Sequence, residues 1–282
     1  MSSISTAART GFARGGIELK QTLTKPADIW QYVFPSVLLL GSIFFMGDAT
    51  VPGTGISLGS RTLPSALGMG IAFSGVLTVA MLLTVDREDG TLLRAKATPN
   101  GMSGYLIGKI TLVGGMSAIG AAIQIVPGLF LVDGLHIDAF GWFTLLWLLP
   151  LGFVATMPMG AVVGSLMDGP RNLGLLMLPL GGLVAISGIF YPITAMPGWL
   201  QAVAQFFPIY WLGLGMRSVC LPDALTAAEL GHSWRLWETG GVLGAWAVAG
   251  LVVAPVILRR MARRESGSAV AARREKAISR AV

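Results

Sequence analysis

Cysteine occurs once, at Cys220, so no disulfide can close within the chain and no cysteine-rich metal site can form. Histidine occurs twice, at His136 and His232, far apart and without neighbouring ligand spacing. No metal site is expected from such a set. Charge is scarce: Asp, Glu, Lys and Arg make up 12% of the residues against 54% hydrophobic ones, at a mean hydropathy of +0.71. Soluble domains carry roughly twice that share of charge, which excludes an ordinary water-soluble core. A phosphate-binding loop is missing too. The segment SGYLIGKI at 103–110 has Ser103 where that motif needs its first glycine, and Ile110 where it needs Ser or Thr. The chain therefore has no ATP site of its own and no cofactor is expected in it.

What is present is a series of charge-free runs. They span residues 29–47, 62–85, 110–132, 139–167, 172–216 and 239–258. A bilayer core about 30 Å thick needs roughly 20 apolar residues at about 1.5 Å of helical rise each. The reading is an all-α polytopic membrane protein with six transmembrane helices, at about 29–47, 62–85, 104–132, 140–167, 173–191 and 239–258. The charge-free runs themselves hold no Asp, Glu, Lys or Arg, which argues against a proton-coupled transporter or ion pump.

Residues 1–28 precede the first run and do not resemble a cleaved signal, whose apolar centre is shorter and nearer the start. On a helical wheel Ile4, Ala8, Phe12, Leu19 and Leu23 share one side, while Arg9, Arg14, Glu18, Lys20 and Lys25 lie elsewhere. This predicts an amphipathic helix in the membrane interface. Gly11, Gly15 and Gly16 are expected to weaken it.

The run 172–216 is too long for one helix and too short for two with a loop. Pro192, Pro197 and Pro208 interrupt it, and Tyr191, Trp199 and Trp211 suit a membrane–water boundary. A re-entrant hairpin at 192–216, on the outer side before the last helix, is expected. Lysine and arginine placement supports six crossings. Seventeen of the 20 fall in segments 1–28, 86–109, 168–171 and 259–282, and three in the segments between. That bias puts both termini in the cytoplasm. The basic tail 259–282 and the net charge of +6 then face anionic lipid, not nucleic acid.

The densest mixed-charge cluster is DREDGTLLRAK at 86–96, with three acids and three bases. Its opening resembles the CDP-alcohol phosphotransferase signature, but Gly108 and Leu112 stand where that signature requires its second pair of acids. A catalytic metal site is thereby excluded. Acids at its start and bases at its end suit a short helix, over 86–98, closed by Pro99, Asn100 and Gly101. On these grounds alone it is equally a docking helix or a capped connector.

The segment EDGTLLRAKATP at 88–99 resembles the cytoplasmic signature of ABC-2 type exporter permeases. SGIFYPITAMPGWL at 187–200, continuing to Pro208, is similar to that family's second signature, before the last membrane helix. The resemblance covers about the whole chain. It implies a permease that pairs with an identical or homologous permease and binds two separate ATPase subunits, which would hold ATP and Mg2+. Asp86, Glu88, Gly90, Thr91, Leu92, Arg94 and Pro99 would form the coupling helix seated on the ATPase. Glu88 and Arg94 would supply charged contacts, Gly90 close backbone approach, and Leu92 an apolar knob. Replacing Glu88 or Leu92 is expected to uncouple transport from ATP hydrolysis. Met69, Phe73 and Leu77, with Met177 and Leu180, are candidates for a central substrate path. An uncharged interior suits a lipophilic drug or metabolite. The alternatives are a lipid or polysaccharide exporter, or a non-transporting membrane anchor. The Ala-, Gly- and Arg-rich composition fits a bacterial plasma-membrane protein.

Overall fold

A computed structural model describes residues 4–46, 58–98, 100–132, 135–167, 174–189 and 191–264. Pro99 and most of the basic tail lie outside them. Among the described residues every regular element is helical. Helices α1 (Ile4–Thr24) and α2 (Pro26–Met46) are separated by Lys25 alone, and Pro26 sits where a missing amide donor leaves no bond unmade.

Helix α3 (Leu58–Phe73) runs into a π turn (Ser74–Thr78) and on into α4 (Val79–Glu88), forming one rod. A short helix α5 (Thr91–Lys96) leads to α6 (Gly101–Leu131). Helix α7 (Ala139–Leu166) starts at Asp138, whose side chain accepts the Gly141 amide at 2.7 Å. Helices α8 (Met177–Ile186), α9 (Gly198–Phe206) and α10 (Pro208–Cys220) follow, then α11 (Leu236–Arg264).

Four helical stretches are long and apolar enough to cross a membrane: Gly59–Glu88, Gly101–Leu131, Ala139–Leu166 and Leu236–Leu258. They match four of the six expected crossings. The expected first crossing coincides with α2, which holds the apolar stretch Val33–Phe45. The fifth differs more. Helix α8 has ten residues, about 15 Å of rise, or half a bilayer core. Large apolar side chains such as Phe45, Phe130, Leu178 and Val252 stay exposed, as suits helices solvated by lipid.

Small residues set the packing. Gly75, in the π turn, abuts Thr156 of α7; an added Cβ would overlap the threonine side chain. Gly160 and Gly164 of α7 meet the backbone of Val76 and Ala80 in the same way. Membrane helices associate through such close approaches, since burying apolar surface gives no advantage over lipid. Helix α10 fills the centre. Of its residues only Ser218 is not buried, and it lies against α3, α7 and α11.

The N-terminal helix departs from its expected reading. Its buried stripe is Ala7, Gly11 and Gly15, while Phe12 and Ile17 are exposed. Gly11 faces Gly104 and Ile107, and Gly15 faces Gly108 and Thr111, so α1 runs along α6 at backbone distance. Two of the three glycines expected to weaken α1, Gly11 and Gly15, are residues that dock it, while a Cβ added at Gly16 would meet nothing.

Candidate partner-docking site

The charged turn is built by two left-handed residues. Gly90 (φ 78°) ends the rod and opens α5, and Asn100 (φ 55°) opens α6. Asp89 Oδ1 accepts the Thr91 amide at 2.8 Å, and Arg94 Nη2 donates to Thr91 Oγ1 at 3.0 Å. Arg87 Nη1 reaches the carbonyls of Met167 at 3.0 Å and Ser165 at 3.4 Å, tying the turn to the end of α7.

Helix α5 has two faces. Thr91, Leu92 and Ala95 are buried, and Leu92 is fully enclosed among Leu83, Tyr105, Leu258 and their neighbours. Glu88 and Leu93 are half-buried, and Asp89, Arg94 and Lys96 are exposed. Leu92, expected to fill a partner's pocket, instead roots α5 in this chain's own core. Asp86 is likewise turned inward. Gly90 serves the backbone: a left-handed residue is required there, and glycine adopts that conformation without strain. The face open to a partner therefore runs over Glu88, Asp89, Leu93, Arg94 and Lys96.

Beneath the turn lies a partly buried ionic network that the charge-free runs do not reveal. Lys109 Nζ stands 3.0 Å from Asp86 Oδ2 and 3.1 Å from Glu18 Oε2. The Tyr105 hydroxyl donates to Asp86 Oδ2 at 2.7 Å, and Arg14 Nε donates to Glu18 Oε1 at 2.8 Å. Partial burial pushes the Glu18 carboxyl up, but hydrogen bonds and charge from Arg14 and Lys109 outweigh it and hold the group below its ordinary value. Four acids and bases thus link α1, α4 and α6. The expectation of helices free of ionisable residues is corrected here. Asp86 and Lys109 are buried within stretches long enough to cross a membrane.

Above this network a cavity of about 280 Å³ opens between α4, α6, α7 and α11, lined by Leu83, Tyr105, Lys109, Pro158, Ala254 and Leu258 among others. The expected substrate-path residues are not part of it. Met69, Phe73 and Leu77 form a half-buried stripe along the rod, Leu180 is buried, and Met177 is exposed.

The expected hairpin residues divide into two groups. Tyr191, Pro197 and Trp199 are exposed and Pro192 is half-buried, with the Tyr191 hydroxyl donating to the Ala185 carbonyl. Pro208 and Trp211 lie inside, at the start of α10. Trp211 Nε1 donates to the Gln205 carbonyl at 2.6 Å, and Arg235 lies 4.8 Å over its ring.

A second ionic cluster was also invisible in the sequence. In the last turn of α10, Arg217 gives Nε and Nη2 to the two oxygens of Glu229, at 2.8 and 3.1 Å. Its Nη1 reaches Ser65 Oγ of α3 at 3.2 Å. The hydropathy run ended at Arg217, which placed it in an outer loop. The only sequence signal was a lone base followed by two acids, Asp223 and Glu229, the second twelve residues on.

A family model described as "ABC-2 family transporter protein" matches residues 53–256, a span that takes in the rod, the charged turn and the central helix α10. No curated protein matches the chain.

Proposed function

This chain belongs to the ABC-2 family of transporter membrane proteins, and we propose that it is the permease subunit of an exporter driven by separate ATPase subunits. The observation that carries the reading is the two-faced α5. Leu92 anchors it inward while Asp89 and Arg94 stand exposed and Glu88 and Leu93 half-buried on the other side. A helix rooted in this way transmits a push from a partner into the membrane domain instead of yielding to it.

Two ATPase subunits, holding ATP and Mg2+, engage this face on each of two paired permease chains. Closure of the ATPase dimer moves the coupling helices together and turns the membrane cavity outward. The chain crosses the bilayer six times with both termini in the cytoplasm. Helix α2 and the segment around α8 supply the two crossings beyond the four long helices. The hairpin α9–α10 dips back from the outer side, in the plasma membrane of a bacterium. A lipophilic drug or metabolite is the cargo that an apolar cavity suits.

The test is purification of the tagged chain from its native membrane, with assay of ATP hydrolysis in what accompanies it. A stoichiometric ATPase, lost on combined replacement of Glu88 and Arg94 while Leu93→Ala weakens it, supports the reading. A chain that purifies alone under several mild detergents makes it a membrane anchor without transport.

A further inference from the structure

Two guanidiniums share one carboxylate at the end of the rod opposite the charged turn. Arg217 occupies both oxygens of Glu229 through its Nε and Nη2. Arg61, in the first turn of α3, is left with a 3.7 Å approach of Nη2 to Glu229 Oε1. Arg61 is 9% exposed, and neither its Nε nor its Nη2 makes a hydrogen bond. Among the described residues, the charges that act on it are Arg217 and Glu229. The cluster thus holds two positive charges to one negative, inside the protein.

Such an excess is strongly unfavourable unless something balances it. The two unused donors are also placed with purpose. Nε and Nη2 form one edge of the guanidinium, the fork that pairs side-on with two oxygens of a single oxyanion. Arg217 uses the same edge on Glu229. The surroundings keep the second guanidinium in place: Gly213 leaves room for Arg217 Nη1, and Gly68 lets α3 and α10 touch at the backbone one turn below Ser65.

We propose that the Nε–Nη2 edge of Arg61 binds one phosphate-type oxyanion, with Arg217 supplying the second positive charge. The group is either free inorganic phosphate or the headgroup of an anionic lipid; both present the same pair of oxygens. Bound there, it closes the charge balance between α3, α10 and the segment that carries Glu229. The site does not depend on the exporter reading.

The full chain, reconstituted in phosphatidylcholine nanodiscs, gives the test. Its Tm is followed by tryptophan fluorescence while inorganic phosphate replaces sodium chloride at constant ionic strength. In a parallel arm phosphatidylglycerol replaces part of the phosphatidylcholine. The expected result is a rise of about 3 °C or more in one arm, the size that a ligand bound only to the folded state produces in a chain this long. The arm that responds identifies the source. R61Q abolishes the rise; should it fail to fold, R61K keeps the charge but not the fork and reduces it. No rise in either arm, or an equal rise in R61Q or R61K, overturns the proposal and leaves buried water on Arg61.

Discussion

The Tyr105 hydroxyl donates to Asp86 Oδ2 at 2.7 Å, joining the second turn of α6 to the last turn of α4 just above the charged turn. The same oxygen accepts Lys109 at 3.0 Å, so a single carboxylate is held by two residues one helical turn apart. This fixes the base of α5 to the membrane domain, and the first prediction concerns it.

Removing Lys109 leaves buried Asp86 without its cation and Glu18 with Arg14 alone. Lys109→Met is expected to destabilise the chain by about 3–5 kcal/mol, the usual result of breaking a buried pair from one side. The double variant with Asp86→Asn should lose less than Lys109→Met alone, since the stranded charge goes too. Denaturation of both variants in the same detergent measures this; equal losses would show that the network carries no coupling.

Glu18 predicts a pH dependence. Its carboxyl sits below the ordinary value of 4.5 in the folded chain, held there by Arg14 and Lys109 against partial burial. A depressed acid contributes stability that is fully present above its unfolded value and is lost as pH falls through its folded value. Wild type should therefore exceed Glu18→Gln in stability by a constant amount at neutral pH. That gap narrows below about pH 4.5. A gap that widens on acidification would reverse the assigned sign.

Leu92 and its neighbours separate rooting from docking. Leu92→Ala removes a fully buried side chain and is expected to cost about 2–5 kcal/mol of stability. Arg94→Ala, on the exposed face, should leave stability within about 0.5 kcal/mol while lowering retention of the ATPase partner. Thermal unfolding beside a pull-down reads both, and a stable Leu92→Ala chain that has lost its partner would restore Leu92 to the docking face.

The α1–α6 contact can be tested with two adjacent glycines. A Cβ at Gly15 would sit 2.5 Å from the Gly108 carbonyl, whereas at Gly16 it would meet nothing within 4 Å. Gly15→Ala should loosen α1 and expose it to protease. Gly16→Ala should stabilise the chain by about 0.4–1 kcal/mol through its unfolded state. Equal behaviour of the two variants would remove the close helix contact.

Cys220 is buried, and the lack of solvent pushes its thiol up to about 12. Thiolate is the reactive form, so the folded chain should resist maleimide at neutral pH and react once denaturant is added. Rapid labelling of the folded protein would place Cys220 at the surface.

Much of this architecture could be read from single residues. Four of the six runs free of charge coincide with long helices because a membrane core tolerates no unpaired ion, and that constraint acts locally. The short helix expected over 86–98 is instead two pieces: α4 runs on to Glu88, Gly90 makes a left-handed turn, and α5 begins only at Thr91. What escaped reading depends on pairing at a distance. Lys109 looks like the last charge before an apolar run, yet its meaning comes from Glu18, 91 positions earlier. Arg217 looks like the first charge after a run, and only the crossing of α3 and α10 makes it a partner of Ser65. Gly11 and Gly15 score as helix-weakening by propensity, and α6 reverses their meaning. Leu92 fitted a partner's pocket by type; the direction in which it points is a tertiary fact.

The π turn at Ser74–Thr78 lies within the rod, between Arg61 and Asp86. Such a turn holds one residue more than the α turn it interrupts, and one residue is worth about 100° of helical phase. The rod is thus two helices out of step with each other, joined without a loop. Rewinding that single turn would screw Asp86 and Glu88 around the axis by about a quarter circle while the backbone stayed bonded from end to end. Gly75, within that turn, lies against Thr156 of α7, the contact that would have to give for the turn to rewind.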